Sequence, residues 1–427
     1  MRAAARDLAR AIAAALLLAA ATLASVPAEA AEFTGRRGVN FEIWQTWTGK
    51  GAFLSPGYDR ANFPDWMGRL DDARLTVLRA EGFDFVRLNI DPSPFFWVAE
   101  SEKAALFDRV VAATRRLHGA GFAVIVDMHL LPEMGDRPDG MHDALGTGGR
   151  KETLFARYVG LVAEMARRLA PLPAERTALE LINEPDQDWF SYVLATDRWP
   201  AQLAALHAAA RKAAPDLTLV LSGGRGGGIE GLLRIDPKPY AGDGALIWSF
   251  HYYTPMAITH AGQPWEVTPA RFLTHLPYPA SALGAAQGER LLAGARARIA
   301  ASVKDPAKRD ELSTAVGKAL TEYATSGAGP AAVSRDFARV ADWARWHGVP
   351  ARRILLGEFG VFQDEADPAA RLAILKATRE AAEAAGFSWA IYTAGLTQAR
   401  RSFGIIGDAA TLAVEPGVRA SLGLPAR

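Results

Sequence analysis

Eight short apolar runs, separated by amphipathic helical stretches, constrain the fold of this chain more than any other feature. They read RRGVNFEIW, FDFVRLNI, FAVIVDMHL, TALELINEP, LTLVLSGG, LIWSFHYYTP, RILLGEFGVF and FSWAIYTAG. Most are nearly continuous in apolar residues, as strands covered on both faces must be. Between them lie SEKAALFDRVVAATRRLHG, KETLFARYVGLVAEMARRLA and PAARLAILKATREAAEAAG, which read as helices. Several helices stop at a glycine followed at once by the next strand, as in EGFDFV, AGFAVIV and AGFSWAI. That is the helix-to-strand turn of a βα repeat. Eight such units predict an α/β fold, a single (β/α)8 TIM barrel. No G-x-G-x-x-G turn follows the first strand, which weighs against a dinucleotide-binding sheet. GGRGGG at Gly223–Gly228 lacks the Lys-Ser/Thr of a P-loop and reads as a flexible loop after the fifth strand.

One connection is too long for its unit. From HYYTP to RILLGEFG the chain runs for about 100 residues, where a βα unit needs nearer 35. The excess, residues 256–335, is a long insertion between strands 6 and 7 with its own helical stretches, GERLLAGARARIAASV and RDELSTAVGKALTEYATSG. It follows a strand on the side of the active-site loops, so a lid or cleft wall is expected. At the other end, MRAAARDLAR, the apolar AIAAALLLAAATLA and the AEA at Ala28–Ala30 read as a secretory signal over residues 1–30. About 14 apolar residues are short for a membrane span. Residues 31–427 are then one catalytic domain, secreted or periplasmic in a bacterium, with no membrane contact once the signal is removed, and a monomer. Net charge is +1, from 48 basic and 47 acidic residues, and gives no reason to expect nucleic acid. Cysteine is absent, which excludes disulfides and thiolate metal sites.

In a TIM barrel, catalytic side chains come from the C-terminal ends of strands. The second strand ends near Arg87 and Asn89, the third in Asp127 and His129, and the fourth in Asn183 and Glu184. The sixth carries His251 and Tyr253, the seventh Glu358, and the eighth Trp389 and Tyr392. The fold would gather these six strand ends around one mouth. Glu358 is the one charge in ILLGEFGVF, and a carboxylate buried there without a partner would cost several kcal/mol. Glu180 lies about 13 Å below Glu184 along an ideal strand, a depth that suits a partner for an arginine. Two carboxylates across a barrel mouth point to glycoside hydrolysis, with one as acid and the other attacking the anomeric carbon or activating water. Arg87 is available to hold one of them ionised. Spacing alone does not say which glutamate does which.

The motifs ELINEP, GEFG, VRLNI, DMH and SFHYYTP, on these strands, resemble glycoside hydrolase family 5, the cellulase family of the retaining clan of β-glycosidases. The resemblance spans roughly residues 37–405. It implies Glu184 as acid/base and Glu358 as nucleophile. It implies that Asn183 hydrogen-bonds the sugar 2-hydroxyl, that Arg87 keeps Glu358 ionised and that Tyr253 orients it. His129 and His251 would line the catalytic subsite, His251 near Glu184. The family closes its eighth strand with a tryptophan sugar platform, whereas here Trp389 is followed by Tyr392. Side chains alternate along a strand, so one of the two is core and the other the platform. Trp44, Trp47 and Trp265 are further stacking candidates, and His260 lies close beyond the sixth strand. The resemblance implies a secreted retaining β-glycoside hydrolase acting on a β-linked polysaccharide or oligosaccharide, first an endo-β-1,4-glucanase. β-Mannanase, β-1,3-glucanase and exo-β-glucosidase stand as alternatives on the same scaffold. No cofactor or metal is called for, because two carboxylates and a water complete the reaction.

Two more distant readings remain open. A TIM-barrel metallohydrolase would use Asp127, His129 and His251 as ligands, but GVNFEIW lacks the His-x-His that many such barrels carry on the first strand. A non-catalytic glycan-binding barrel would have no need for both Glu184 and Glu358.

Overall fold

The computed structural model describes residues 32–45, 49–58, 71–130, 140–146, 150–186, 197–263, 269–395, 403–408 and 411–426. The segment 1–30, Trp47, Trp265 and the side chain of Trp44 lie outside the described residues.

All eight expected runs form strands: β1 (Arg37–Gln45), β2 (Phe85–Ile90), β3 (Ala123–Met128), β4 (Thr177–Glu180), β5 (Thr218–Ser222), β6 (Leu246–His251), β7 (Ile354–Phe359) and β8 (Ser388–Ile391). Each pairs in parallel with the next and β8 closes on β1, giving a (β/α)8 barrel. Helices Glu100–Gly119, Arg150–Leu169 and Pro368–Ala384 lie between strands as their periodicity predicts.

Alternation along the strands sorts the side chains into two cores. Val86, Leu88, Val124 and Val126 point outward and pack in the large core shared with the helices. Phe85, Ile125, Val220, Ile247 and Leu355 point inward with Phe33 and fill the lower barrel. Above them on the same inward rows stand Arg87 on β2, Asp127 on β3, Glu180 on β4 and Ser222 on β5, all buried. The barrel interior is therefore greasy at its floor and charged towards its mouth.

β7 departs from simple alternation. Phe250 pairs with Leu356 but His251 pairs with Glu358, so β7 fits one extra residue, Gly357, at this point. Leu355 faces the interior and Leu356 the outer core. Without the bulge Glu358 would share the outward phase of Leu356. The extra residue turns it into the mouth, a common use of bulges beside active sites.

The long connection after β6 is an insertion, as expected, but its two large helices do not form a lid. Ala285–Ser302 and Pro306–Thr325 pack on each other and on segment 269–283. Arg298 donates from Nε and Nη2 to the Phe272 carbonyl at 3.0 and 2.7 Å, and Tyr323 donates to the Pro277 carbonyl. The helix Pro330–Trp346 then returns to the barrel, with Phe337 5.3 Å from the Phe250 ring. The cleft meets the start of the insertion. Thr259 donates to the Tyr253 carbonyl at 2.6 Å, and the His260 ring lies 5.0 Å from that of Tyr253.

Candidate active site

Arg87 organises the mouth from below. It is fully buried, and a guanidinium has five N–H donors in a fixed fork. Each has a taker. Nε donates to Glu180 Oε2 at 2.7 Å, and Nη1 to Asn40 Oδ1 at 2.9 Å and to Glu358 Oε1 at 2.6 Å. Nη2 donates to Asn183 Oδ1 at 2.9 Å and lies 3.1 Å from Asp127 Oδ2. Burial disfavours the charge of Arg87, but Asp127, Glu180 and Glu358 outweigh it and raise its pKa well above the ordinary value. With no exposed surface, Arg87 does not reach a substrate. Its place is among carboxylates, Glu358 included, and not among the groups that line the open cleft.

Glu358 is held at both oxygens. Oε1 takes the Arg87 bond, and Oε2 accepts from the Tyr253 hydroxyl at 2.8 Å. The residue is only 4% exposed. Glycine before it is required by a close approach. A Cβ on Gly357 would sit 2.6 Å from Ser249 Oγ and 3.0 Å from His251 Nε2, so only glycine lets His251 pack beside the β7 bulge.

Glu184 stands past the end of β4 in a different environment. Its side chain is 36% exposed and opens to the cleft. His251 Nδ1 lies 2.7 Å from Glu184 Oε1 and 3.6 Å from Glu358 Oε2. Burial raises the Glu184 pKa, with His129 and Arg87 opposing. The protein packed around the rest of the side chain makes desolvation dominate despite that exposure. Burial also lowers the pKa of His251, although Glu358 pulls the other way, and the ring is neutral. Its Nε2 has no polar partner among the described residues. The one ring proton is therefore assigned to Nδ1, where it meets Glu184. One carboxylate oxygen each from Glu184 and Glu358, with the His251 nitrogen, lie within 4.8 Å of one another.

The Glu184 backbone has φ +40°, a left-handed conformation rare for a side chain of this size. The glycine-rich run supports it. Gly227, at φ +70°, would place a Cβ 3.2 Å from Glu184 Cα and Cγ. The Gly226 amide donates to the Pro185 carbonyl at 3.2 Å, and the His251 amide to the Gly227 carbonyl at 2.9 Å. The run expected to be a flexible loop is thus an ordered turn built against Glu184 and His251.

The remaining expected residues divide. His129 lies at the mouth, its Nδ1 2.6 Å from Asp127 Oδ2. Burial lowers its pKa, but Asp127 outweighs burial and the net shift is upward. Asn183 gives its amide oxygen to Arg87, a bond that does not consume its Nδ2 donors. Tyr392 is half-buried among Glu358, Glu42 and Glu184. Trp389 is not in the cleft. Ala390 takes the inward row of β8, so Trp389 faces the outer core, fully buried at 5.8 Å from Phe359 and 6.4 Å from Phe83. Alternation then leaves Tyr392 on the cleft side, and Trp389 as a substrate-binding residue is corrected. Sequence reasoning passed over Asn40 and Ser222, which complete the cluster through Arg87 and through a 2.9 Å bond to Glu180. Each is a polar residue within an apolar strand, the signal that picked out Glu358.

The barrel, the inward polar rows and two carboxylates flanking one cleft define an O-glycosyl hydrolase of the retaining type. The model of the family Cellulase (glycosyl hydrolase family 5) matches residues 47–397, and the chain belongs to that family. Similar solved structures include Thermotoga maritima Cel5A in complex with cellobiose, 18% identical, over 91% of this chain and 97% of that one, at a TM-score of 0.59. The cellulose synthase subunit Z of Clostridioides difficile is 18% identical over 91% and 99% of the two chains, at 0.59. A family 5 xyloglucanase from Paenibacillus pabuli is 13% identical over 92% and 98%, at 0.60. At these identities the likeness speaks for the fold alone. No curated protein sequence matches the chain.

Proposed function

We propose that the protein is a secreted endo-β-1,4-glucanase in which Glu358 is the nucleophile and Glu184 the acid/base. The observation that carries the assignment is the difference between the two carboxyls. Glu358 is held at one oxygen by a cation and at the other by a phenol, which fixes the carboxylate in place for attack. Glu184 has its pKa raised by burial and borders open cleft, which suits a proton donor. One oxygen of each lies within 4.8 Å of the other, a close approach that supports the retaining arrangement, in which the carboxyls stand roughly 5–5.5 Å apart.

In the first step a Glu358 oxygen bonds to the anomeric carbon. The bond from that carbon to the leaving oxygen breaks, and the oxygen takes the electron pair and the Glu184 proton. In the second, Glu184 removes a proton from water, whose oxygen attacks the same carbon and releases Glu358. Asn183, His129 and Tyr392 contact the sugar in this reading. Trp44, at the end of β1, is a further candidate for stacking.

Glucan is the favoured substrate because Cel5A structures carry cellobiose. A mannotriose complex of the same protein and the xyloglucanase keep mannan and decorated glucan as second choices. Residues 1–30 would direct export and be cleaved near Ala30, which sequencing the N-terminus of exported protein would check. For the main assignment, the test is hydrolysis of a polysaccharide panel with product sizing, alongside Glu358→Ala. That variant should lose turnover by on the order of 10⁴-fold or more, and azide should partly restore it on an aryl glycoside, giving an inverted product. Loss of activity without azide rescue, or rescue in Glu184→Ala with inversion, would reverse or remove the roles. Because the Glu184 pKa is raised, the alkaline limb of kcat/KM should lie above the ordinary carboxylate range.

A further inference from the structure

β7 turns Glu358 inward by taking one residue more than its neighbours, and a bulge of this kind leaves a peptide out of the ladder. β7 pairs with β6 through Ile354, Leu355, Leu356 and Glu358, and with β8 through Leu355, Leu356 and Phe359. Gly357 is matched on neither side. It is buried, and a buried carbonyl needs a donor.

That donor comes from β1, which is separated from β7 by β8 in the closed barrel. Asn40 stands opposite Arg87 on the inward row of β1 and is fully buried. Its Nδ2 donates to the Gly357 carbonyl at 3.1 Å and to the Ile391 carbonyl at 3.2 Å. Its Oδ1 accepts from Arg87 Nη1 at 2.9 Å. These partners fix which way the amide points, because a carbonyl only accepts and a guanidinium only donates. A flipped amide would set its oxygen against two carbonyls and its N–H groups against a cation. The same Arg87 nitrogen donates to Glu358 Oε1 at 2.6 Å. One side chain therefore touches both the peptide just before Glu358 and the nitrogen that holds the Glu358 carboxyl.

We propose that Asn40 is a positioning residue for Glu358: it supplies the hydrogen bond that the bulge takes from the ladder, and it holds the Arg87 fork in register with the Glu358 carboxyl. Asn40 has no exposed surface and does not touch substrate. Among side chains of this length, only asparagine offers two N–H donors beside an acceptor. A carboxylate keeps the acceptor for Arg87 and has no proton for Gly357 or Ile391. An apolar side chain has neither, and leaves buried polar groups unpaired. Asn40 is itself fixed from outside the site, since its backbone carbonyl accepts from the Ala394 amide at 3.0 Å.

The proposal rests on Glu358 as the nucleophile, so one arm of the experiment needs no substrate. Asn40→Asp keeps the shape of the side chain and the contact with Arg87, and removes the donors to Gly357 and Ile391. Asn40→Ala removes the same donors without adding a charge, and carries the test if Asn40→Asp does not fold. A crystal structure of either variant should show the β7 bulge rearranged and the Glu358 carboxyl displaced from Arg87 Nη1 or from the Tyr253 hydroxyl. A carboxyl that keeps both contacts, at 2.6 and 2.8 Å, would overturn the proposal.

The second arm is kinetic, on folded variants and a series of aryl β-cellobiosides. kcat should fall by about 100-fold, the effect of misplacing a reacting group by about 1 Å, while KM stays within about twofold of wild type. The loss in kcat/KM should be the same for good and poor leaving groups, because both need the nucleophile. A lower Tm with unchanged kcat would make Asn40 a packing residue and overturn the positioning role. A loss confined to poor leaving groups would assign the effect to Glu184 and overturn it equally. If the wild type cleaves no β-glycoside, the nucleophile reading falls, and the crystal structure still decides whether Asn40 sets the place of Glu358.

Discussion

The floor and the mouth of the barrel are built on the same inward-facing rows, and they hold together by opposite means. At the floor, Phe33, Phe85, Ile125, Val220, Ile247 and Leu355 fill the interior with apolar side chains. A few residues further along the same strands, Arg87, Asp127, Glu180 and Glu358 stand in contact. Burying apolar area stabilises the floor directly, by about 25 cal/mol per Å². Burying four charges costs desolvation that their mutual attraction roughly offsets. The mouth is therefore the part of the barrel where stability is given up for an arrangement of charge, and the floor is what permits it.

Substitutions at the two levels should separate these roles. The largest effect is expected from Arg87→Met. It leaves Asp127, Glu180 and Glu358 buried without their cation, at a cost of about 3–5 kcal/mol. Denaturant unfolding measures that loss. Turnover should also collapse well below the unfolding midpoint, because Glu358 loses the group that holds its Oε1. Near-normal turnover in folded Arg87→Met would erase the distinction between the two levels.

Phe85→Ala is the matched change at the floor on the same strand. It should lower stability by about 3–5 kcal/mol while kcat, measured on folded protein at low temperature, stays close to that of the wild type. A kcat loss as deep as that of Arg87→Met would mean that floor packing sets the catalytic geometry directly. Smaller again is Gly227→Ala. The left-handed φ of +70° costs an alanine about 1–2 kcal/mol, and the new Cβ presses on Glu184 Cα and Cγ. Turnover of substrates with poor leaving groups should fall more than turnover of activated aryl glycosides, since the acid is the displaced group. Equal losses on both would place the effect elsewhere than Glu184.

Much of this was legible in the chain. Eight apolar runs became the eight strands because each is apolar enough to be covered on both faces. Their polar endings mark the mouth because a lone charge in such a run has nowhere else to go. Glu180 was placed as an arginine partner by depth along the strand, and Arg87 Nε meets it at 2.7 Å. Glu42 carries the same signal as Glu358, a single carboxylate in an apolar strand, and was passed over because no motif drew attention to it.

Sequence by itself determined which segments are strands, their order, and which residues sit at their C-terminal ends, because hydrophobic periodicity and glycine stops are local properties. Tertiary structure decided which way the decisive side chains point. Counting alternate residues from Leu355 would turn Glu358 outward, and only the pairing of β7 with β6 exposes the extra residue at Gly357 that turns it inward. The choice between Trp389 and Tyr392 needed the phase of β8 against its neighbours. The tie between β1 and the turn after β8 needed Asn40 and Thr393, 353 residues apart, on one hydrogen bond. A bulge, a strand phase and a hydrogen bond between the first strand and the turn after the last are relations between distant segments, and they come into being only when the barrel closes.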